Sequence, residues 1–191
     1  MLKSRLCIAF FAFAVGCAPA QKPLTDYVNP MLGTATLWDS VDLGFKPTKR
    51  TWGAEVFPGS SLPNAMVQVS PVTKFHSGAG YQYEDSVIYG FTHTNKGHWN
   101  LCHIPLLPVT GTPTPGDYCS PFSHERESAA PGYYQVFLDR YGVDAQLSST
   151  LRCAFHKYTY PAGAAASLLA DLQRSNEHVR AWDIRKEGDN V

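Results

Sequence analysis

Apolar and polar residues alternate with a period of two along residues 143–156. One face carries Val143, Ala145, Leu147, Leu151, Cys153 and Phe155, and the other carries polar residues, among them His156. This alternation is typical of a β-strand that buries one side against a core. After His156 the apolar positions change to Tyr158 and Tyr160, which predicts a β-bulge. We assign His156, on the polar face, a structural role.

Shorter apolar runs predict further strands, at residues 65–69, 81–83, 86–91, 104–110, 133–138, 167–172 and 181–185. Residues 139–142 suit a hairpin turn before Val143, and residues 111–131 form a polar loop. Residues 162–172 favour a helix by propensity. However, Pro161 and Gly163 flank that stretch, and its surroundings have the pattern of strands. The sequence therefore predicts an antiparallel all-β domain, most simply a β-sandwich.

The first residues have the features of an export signal. Lys3 and Arg5 precede an apolar run, residues 6–15, that is too short to span a bilayer. Residues 14–17 resemble a lipobox, which would make Cys17 the lipidated first residue, whereas residues 18–20 resemble an ordinary cleavage site that would leave Gln21 first. We favour the lipobox. It divides the chain into a signal peptide (1–16), a linker (17–26) and a domain (27–191), and it predicts a location in the periplasm or at the cell surface.

Composition excludes several classes of function. Removing residues 1–16 takes away two basic residues, which leaves 14 basic and 16 acidic residues from the 16 of each in the full chain. No basic patch indicates a nucleic acid, and no later apolar run is long enough to span a membrane, so membrane contact would come only through the lipid anchor. The three remaining cysteines, Cys102, Cys119 and Cys153, allow at most one internal disulfide, and no zinc-finger spacing is present.

Residues 92–103 (THTNKGHWNLCH) lie between two predicted strands and hold three histidines, two asparagines, a lysine and a tryptophan. Binding sites are commonly built from such hydrogen-bonding side chains on a loop that rigid strands hold in place. A tryptophan beside them can stack on a flat apolar surface. The segment therefore favours a hydroxyl-rich ligand such as a sugar.

Five ordered blocks of sequence resemble the opening of glycoside hydrolase family 92. They are YVNPMLGT (27–34), VFPGSSLPNAMVQVSP (56–71), SVIYGFTHT (86–94), PGYYQV (131–136) and FHKYTYP (155–161). The resemblance implies the N-terminal, galactose-mutarotase-like β-sandwich of an exo-acting α-mannosidase that inverts the anomeric configuration. It further implies a much larger helical catalytic domain as the partner of the sandwich, α-mannoside glycans as substrates, and a calcium ion whose ligands we expect outside this chain.

The resemblance also implies a role at a pocket wall, because sites of this family lie at the domain interface. The segment NKGHWNLC (95–102) replaces a loop that is Ser- and Gly-rich in the commoner family pattern. We expect Trp99 to stack on a mannose ring, and His98 and Asn95 to donate hydrogen bonds to sugar hydroxyls. Packing of Trp99 in the core is the alternative. Trp52, Glu55 and Phe57, in a second turn-rich loop, are weaker candidates for substrate binding.

The acidic residues of this chain do not match the family's catalytic motif, so we assign no catalytic residue. An inverting glycosidase needs two carboxyl groups roughly 6.5–9.5 Å apart. We interpret Glu84, Asp85, Glu125, Glu127 and Asp171 as solvated surface or turn residues. The turn expected at residues 187–190 has no second strand after it, which predicts a domain that is incomplete at its C-terminus. The alternative function is a free-standing carbohydrate-binding or surface-interaction lipoprotein.

Overall fold

The structure, a computed structural model, describes residues 21–36, 55–95, 100–114, 116–185 and 187–188. Within these ranges it contains two short 3-10 helices, Leu24–Tyr27 and His124–Arg126. The strands are β1 (Ser60–Ser61), β2 (Gln68–Val72), β3 (Val87–Ile88), β4 (Gly90–Thr92), β5 (Leu106–Thr110), β6 (Ser120–Pro121), β7 (Glu127–Ala130), β8 (Tyr133–Leu138), β9 (Val143–Ser149), β10 (Ala154–Thr159) and β11 (Ala166–Ala170). No helix among the described residues is both long and apolar enough to cross a membrane.

The strands form an antiparallel β-sandwich, which confirms the predicted fold class. A first sheet has the order β1-β2-β4-β5-β11, and a second has the order β10-β9-β8-β7. The inner face of β9 packs on β1, β2 and β5 of the first sheet. A small two-stranded sheet, β3-β6, lies beside them.

The hairpin β8–β9 supplies much of the core. Its strands pair in register from Tyr133↔Ser148 to Leu138↔Val143, as the sequence predicted. Alternate residues of both strands are buried, and they meet apolar residues of the first sheet, Val69, Phe91, Leu107 and Val109. Since burying a leucine- or valine-sized side chain contributes about 1.5–3 kcal/mol, these contacts dominate the stability of the sandwich.

The alternating run 143–156 is two strands and not one, so this part of the prediction was wrong. The chain turns at residues 150–153, where the Thr150 amide donates to the Cys153 carbonyl oxygen over 2.8 Å. The turn changes the buried face, so Ala154 and His156 of β10 face inward whereas Leu151 and Phe155 are 53% and 62% exposed. The face change assigned to a bulge after His156 is therefore produced by this turn.

The predicted strand at residues 86–91 is divided between two sheets. β3 pairs with β6, whereas β4 pairs with β2 and β5, and Tyr89 lies between them. Gly90 makes this change of sheet possible, because its φ of 154° is rarely open to residues with a side chain. A Cβ atom at Gly90 would also lie 2.9 Å from the Pro105 Cβ.

Other predicted elements differ in their bounds. The strand expected at 65–69 begins only at Gln68. The strand expected at 167–172 is confirmed as β11, which begins one residue earlier and ends two residues earlier than predicted. Residues 81–83 and 181–185 are not strands. The polar loop 111–131 contains β6, the second 3-10 helix and the whole of β7. These short elements lack the apolar alternation by which longer strands are recognised.

The two faces of the run 143–156 can be tested by truncation. Leu147→Ala should lower the free energy of unfolding by about 2–5 kcal/mol, because Leu147 is 1% exposed and its removal leaves a cavity. Phe155→Ala, the matched change at an exposed position, should alter it by less than about 0.5 kcal/mol. Urea denaturation followed by circular dichroism measures both. Equal losses for the two variants would show that one continuous strand is buried.

Candidate functional site

Three buried asparagines, Asn95, Asn100 and Asn176, form a connected group that we call the amide cluster. The Asn95 side-chain nitrogen donates to the Gln68 carbonyl over 2.7 Å and to the Thr92 carbonyl over 2.6 Å. Its oxygen accepts from the Thr92 hydroxyl and from the Asn100 side-chain nitrogen. Asn176 donates to the Asn100 carbonyl oxygen. These bonds satisfy amide groups that would be costly to bury without partners.

The amide cluster fixes both ends of the segment that sequence analysis selected. Asn95 precedes residues 96–99, and Asn100 follows them. Asn100 also donates to the Ala79 carbonyl over 2.7 Å and accepts from the Cys102 amide over 2.9 Å. Gly80 packs so closely that a Cβ there would lie 2.5 Å from the Asn100 side-chain nitrogen. The entry and exit of the segment are therefore held rigidly.

A cavity of about 850 Å³ adjoins the amide cluster, and we call it the tail pocket. Its wall combines His76 with residues 173 and 175–182. Asn176 joins it to the selected segment, because the Asn176 amide donates to the Leu101 carbonyl over 3.0 Å. Trp182, 57% exposed, supplies a flat apolar face among hydrogen-bonding side chains. A stacking surface with polar groups around it is the chemistry that a sugar ring requires.

Residues 173–182 were not predicted to form part of a site. Residues 181–185 were predicted to be a strand, whereas they are irregular and Trp182 lines the tail pocket. The missed signal is the sequence QRSNEHVRAW (173–182), which is rich in hydrogen-bonding side chains and ends in a tryptophan, as the segment ending at Trp99 does.

The predicted substrate-binding residues fall into two groups. Trp99, His98 and Trp52, like the predicted lipidation residue Cys17, lie outside the described residues. Glu55 and Phe57 are described and partly buried, and neither is among the residues that line the tail pocket.

Asn95 lies in the amide cluster and is 2% exposed. Both atoms of its side-chain amide group are bonded within the protein. A direct bond from Asn95 to a sugar would require the loss of one of these bonds.

His93 and His156 face each other across the two sheets. Their Nε2 atoms are 2.8 Å apart, and the His156 Nδ1 lies 2.6 Å from the Tyr158 hydroxyl. The Nε2–Nε2 contact has room for one hydrogen, so one ring donates and the other accepts. Burial lowers the pKa of His93, and burial together with the charge of His93 lowers the pKa of His156 to about 4. His156 therefore lies on the inner face, contrary to the prediction, and the pair is neutral at pH 7.

Glu127 is buried, contrary to the prediction of a solvated carboxylate, and its side chain is 1% exposed. It accepts from the Tyr134 hydroxyl over 2.6 Å and from the Tyr81 hydroxyl over 3.0 Å. The His124 Nδ1 lies 2.5 Å from its other oxygen. Burial and the charge of Glu127 raise the pKa of Tyr81 and Tyr134, so both phenols keep the hydrogen that they donate. Glu127 thus fastens the turn at residues 81–83 to β8.

Asp171 is a second largely buried carboxylate, and it shapes a turn, which is one of the two roles predicted for it. Its side chain is 10% exposed and accepts from the Tyr118 hydroxyl and from the backbone amides of Gln173 and Arg174, the latter two over 2.8 and 3.0 Å. These bonds shape the backbone where the chain enters the tail pocket. The role of Asp171 is therefore to position residues 173–174.

Among the described residues, no group of three or more histidine, cysteine, aspartate or glutamate side chains could hold a metal ion. The residues that line the tail pocket offer a stacking surface and hydrogen-bonding groups.

Comparison with known proteins gives a consistent result. Residues 27–191 match the family described as glycosyl hydrolase family 92 N-terminal domain. A family GH92 α-mannosidase from Bacteroides thetaiotaomicron, solved in complex with mannoimidazole, is 31% identical with a TM-score of 0.66. The alignment covers 81% of this chain and 20% of that one. A family GH92 inverting mannosidase from Bacteroides thetaiotaomicron VPI-5482 is 28% identical, with a TM-score of 0.63 and coverage of 79% and 20%.

The chain thus spans about a fifth of the length of these solved mannosidases. A search of curated proteins found no match.

The neutral histidine pair predicts a loss of stability in acid. Below pH 6.5 the unfolded chain binds a proton at His156 that the folded chain does not bind until about pH 4, so stability falls as the pH drops through this window. The loss between pH 7 and 5 should be on the order of 1–2 kcal/mol, the lower figure allowing for partial exposure. His156→Gln should flatten the pH profile of unfolding. His178→Gln, at an exposed position, should leave its slope unchanged; a steep profile in His156→Gln would refute the assignment.

Proposed function

The chain belongs to glycoside hydrolase family 92, and we propose that it forms the N-terminal, non-catalytic part of an exported, calcium-dependent exo-α-mannosidase that inverts the anomeric configuration. Its role in that enzyme is to supply a wall of the substrate pocket at the interface with a helical catalytic domain. The family match over residues 27–191 supports the mannosidase. One of the similar structures is of an inverting mannosidase, which supports inversion.

The observation that carries the proposal is the tail pocket beside the amide cluster. Trp182 offers a stacking face, and His76, Gln173 and Asn176 surround it with polar groups. Trp99, the predicted stacking residue, immediately precedes Asn100 in the sequence, and the Asn100 side chain is held in the amide cluster. We propose that Trp99 and His98 contact the mannoside together with this pocket.

The non-catalytic role is supported by the engagement of the carboxylates. Glu127 and Asp171 are held by hydrogen bonds inside the protein, Glu84 accepts from Thr36, and Asp85 accepts from Thr73. These hydrogen bonds indicate that the four carboxylates stabilise the folded structure. The acid and base pair of the proposed enzyme, and its calcium ion, would belong to the catalytic domain.

The proposal predicts binding without hydrolysis. The purified 191-residue chain with calcium should release no mannose from an aryl α-mannoside above a mock preparation, yet methyl α-mannoside should give saturation-transfer NMR signals. Trp182→Ala should weaken that binding roughly three- to tenfold, because a stacking contact of about 0.5–1.5 kcal/mol is lost. Phe155→Ala, which removes an exposed aromatic ring outside the pocket, is the control. Mannose release that follows the purified chain would overturn the non-catalytic role, and equal binding by both variants would remove Trp182 from the site.

Export and anchoring complete the proposal, and they rest on the N-terminal sequence. Cys17 should carry a lipid on the mature protein, because a Gly-Cys junction follows the apolar run. Mass spectrometry of the mature N-terminus tests this. An unmodified peptide that begins at Gln21 would show that the ordinary cleavage site is used and that the protein has no lipid anchor.

A further inference from the structure

A second cavity, of about 510 Å³, lies beside the tail pocket and shares His76, Gln173 and Ser175 with it. We call it the basic pocket. Two side chains of fixed positive charge, Lys74 and Arg174, line it, and no described residue of its wall is acidic. Asp171, which lies outside the lining with its carboxylate 3.9 Å from the Arg174 Nε, can balance only one of these two charges. An anionic group is the natural complement of the other charge.

The guanidinium of Arg174 is positioned and yet available to a ligand. It lies between two tyrosine rings, with its carbon 5.0 Å from the Tyr118 ring centre and 5.6 Å from the Tyr89 ring centre. Asp171, its acidic neighbour, already accepts from Tyr118 and from backbone amides, and its oxygen is 3.9 Å from the Arg174 Nε, beyond hydrogen-bond distance. The guanidinium of Arg174 is therefore positioned by the two tyrosine rings, and it makes no hydrogen bond to the Asp171 carboxylate.

The wall of the basic pocket is also aromatic. Phe75 and Tyr89 pack against each other with their ring centres 5.5 Å apart and their planes at 56°. The two rings provide apolar surface for the face of a sugar ring. Lys74 immediately precedes Phe75 in the sequence. Arginine binds phosphate and sulfate through paired N–H donors, and lysine adds a point charge. The basic pocket thus combines a ring surface with an oxyanion clamp.

We propose that the basic pocket binds an oxyanion, a phosphate or sulfate ester, that is carried by the glycan substrate. This inference rests on the proposed function, since the sugar that bears the ester is taken to be a mannoside. Lys74 and Arg174 make the contacts to the ester oxygens. The neutral part of the glycan then extends into the tail pocket through the shared wall at His76 and Gln173.

The test is a titration of the 191-residue chain, followed by NMR, with mannose 6-phosphate, mannose 6-sulfate, methyl α-mannoside and inorganic phosphate. A charged ester should bind at least roughly tenfold more tightly than the neutral mannoside, since hydrogen bonds to charged groups are the stronger ones. The advantage should shrink at high salt. Whichever ester binds more tightly identifies the source of the anion.

Variants separate the basic pocket from general charge effects. Lys74→Gln removes one exposed ammonium group and should cost most of the tenfold advantage without unfolding the protein. Arg174→Lys keeps the charge but loses the paired donors, so it should weaken ester binding and spare the neutral mannoside. Lys157→Gln removes the same charge from an exposed position on β10 and should change nothing.

The outcomes distinguish this inference from the proposed function. Equal affinity for the neutral and charged mannosides would overturn the oxyanion site and leave the mannoside function standing. Binding of inorganic phosphate as tight as that of the ester would overturn the glycan part of the inference. Ester binding that Lys74→Gln and Lys157→Gln reduce equally would assign the effect to net charge and refute the pocket. Failure of every mannoside to bind would instead refute the proposed function.

Discussion

The packing of β9 against the first sheet is the contact on which the other features depend. Val143, Ala145 and Leu147 are buried between the sheets, where they meet residues of β2, β4 and β5. A buried bond of 2.7 Å between the Ser60 and Ser149 hydroxyls adds a polar link across the same interface. Because interiors are close-packed, this interface fixes the distance between the sheets and hence the positions of the loops that leave them.

Buried polar groups then attach parts of the connecting loops to the sandwich. The amide cluster holds Asn95 and Asn100 in place, and Glu127 fastens the turn at residues 81–83 to β8. Each such group would cost free energy if its partners were lost, so the positions of the described residues that they hold are strongly specified. Asn95, predicted to bind substrate, and Glu127, predicted to be solvated, are thus buried residues that stabilise the fold.

The proposed binding surface consists of the tail pocket and the basic pocket, which lie next to the amide cluster. Asn176 belongs to the amide cluster and also lines the tail pocket, while His76 and Gln173 line both the tail pocket and the basic pocket. Stacking residues, neutral donors and cations therefore occupy one continuous part of the surface. That combination is the basis of our proposal that the chain binds a glycan with a charged substituent.

The fold class, the β8–β9 hairpin and the family were predictable from the sequence, because two-residue alternation and ordered motifs are local properties of the chain. The tertiary structure decided which face of β10 is buried, since a four-residue turn, invisible to periodicity, reverses that face. It also decided the burial of Glu127, whose partners Tyr81 and Tyr134 are 46 and 7 residues away. The pockets depended most on folding: Asn176 and Asn100 are 76 residues apart in the chain, and only the fold brings the Asn176 side-chain nitrogen to the Asn100 backbone carbonyl.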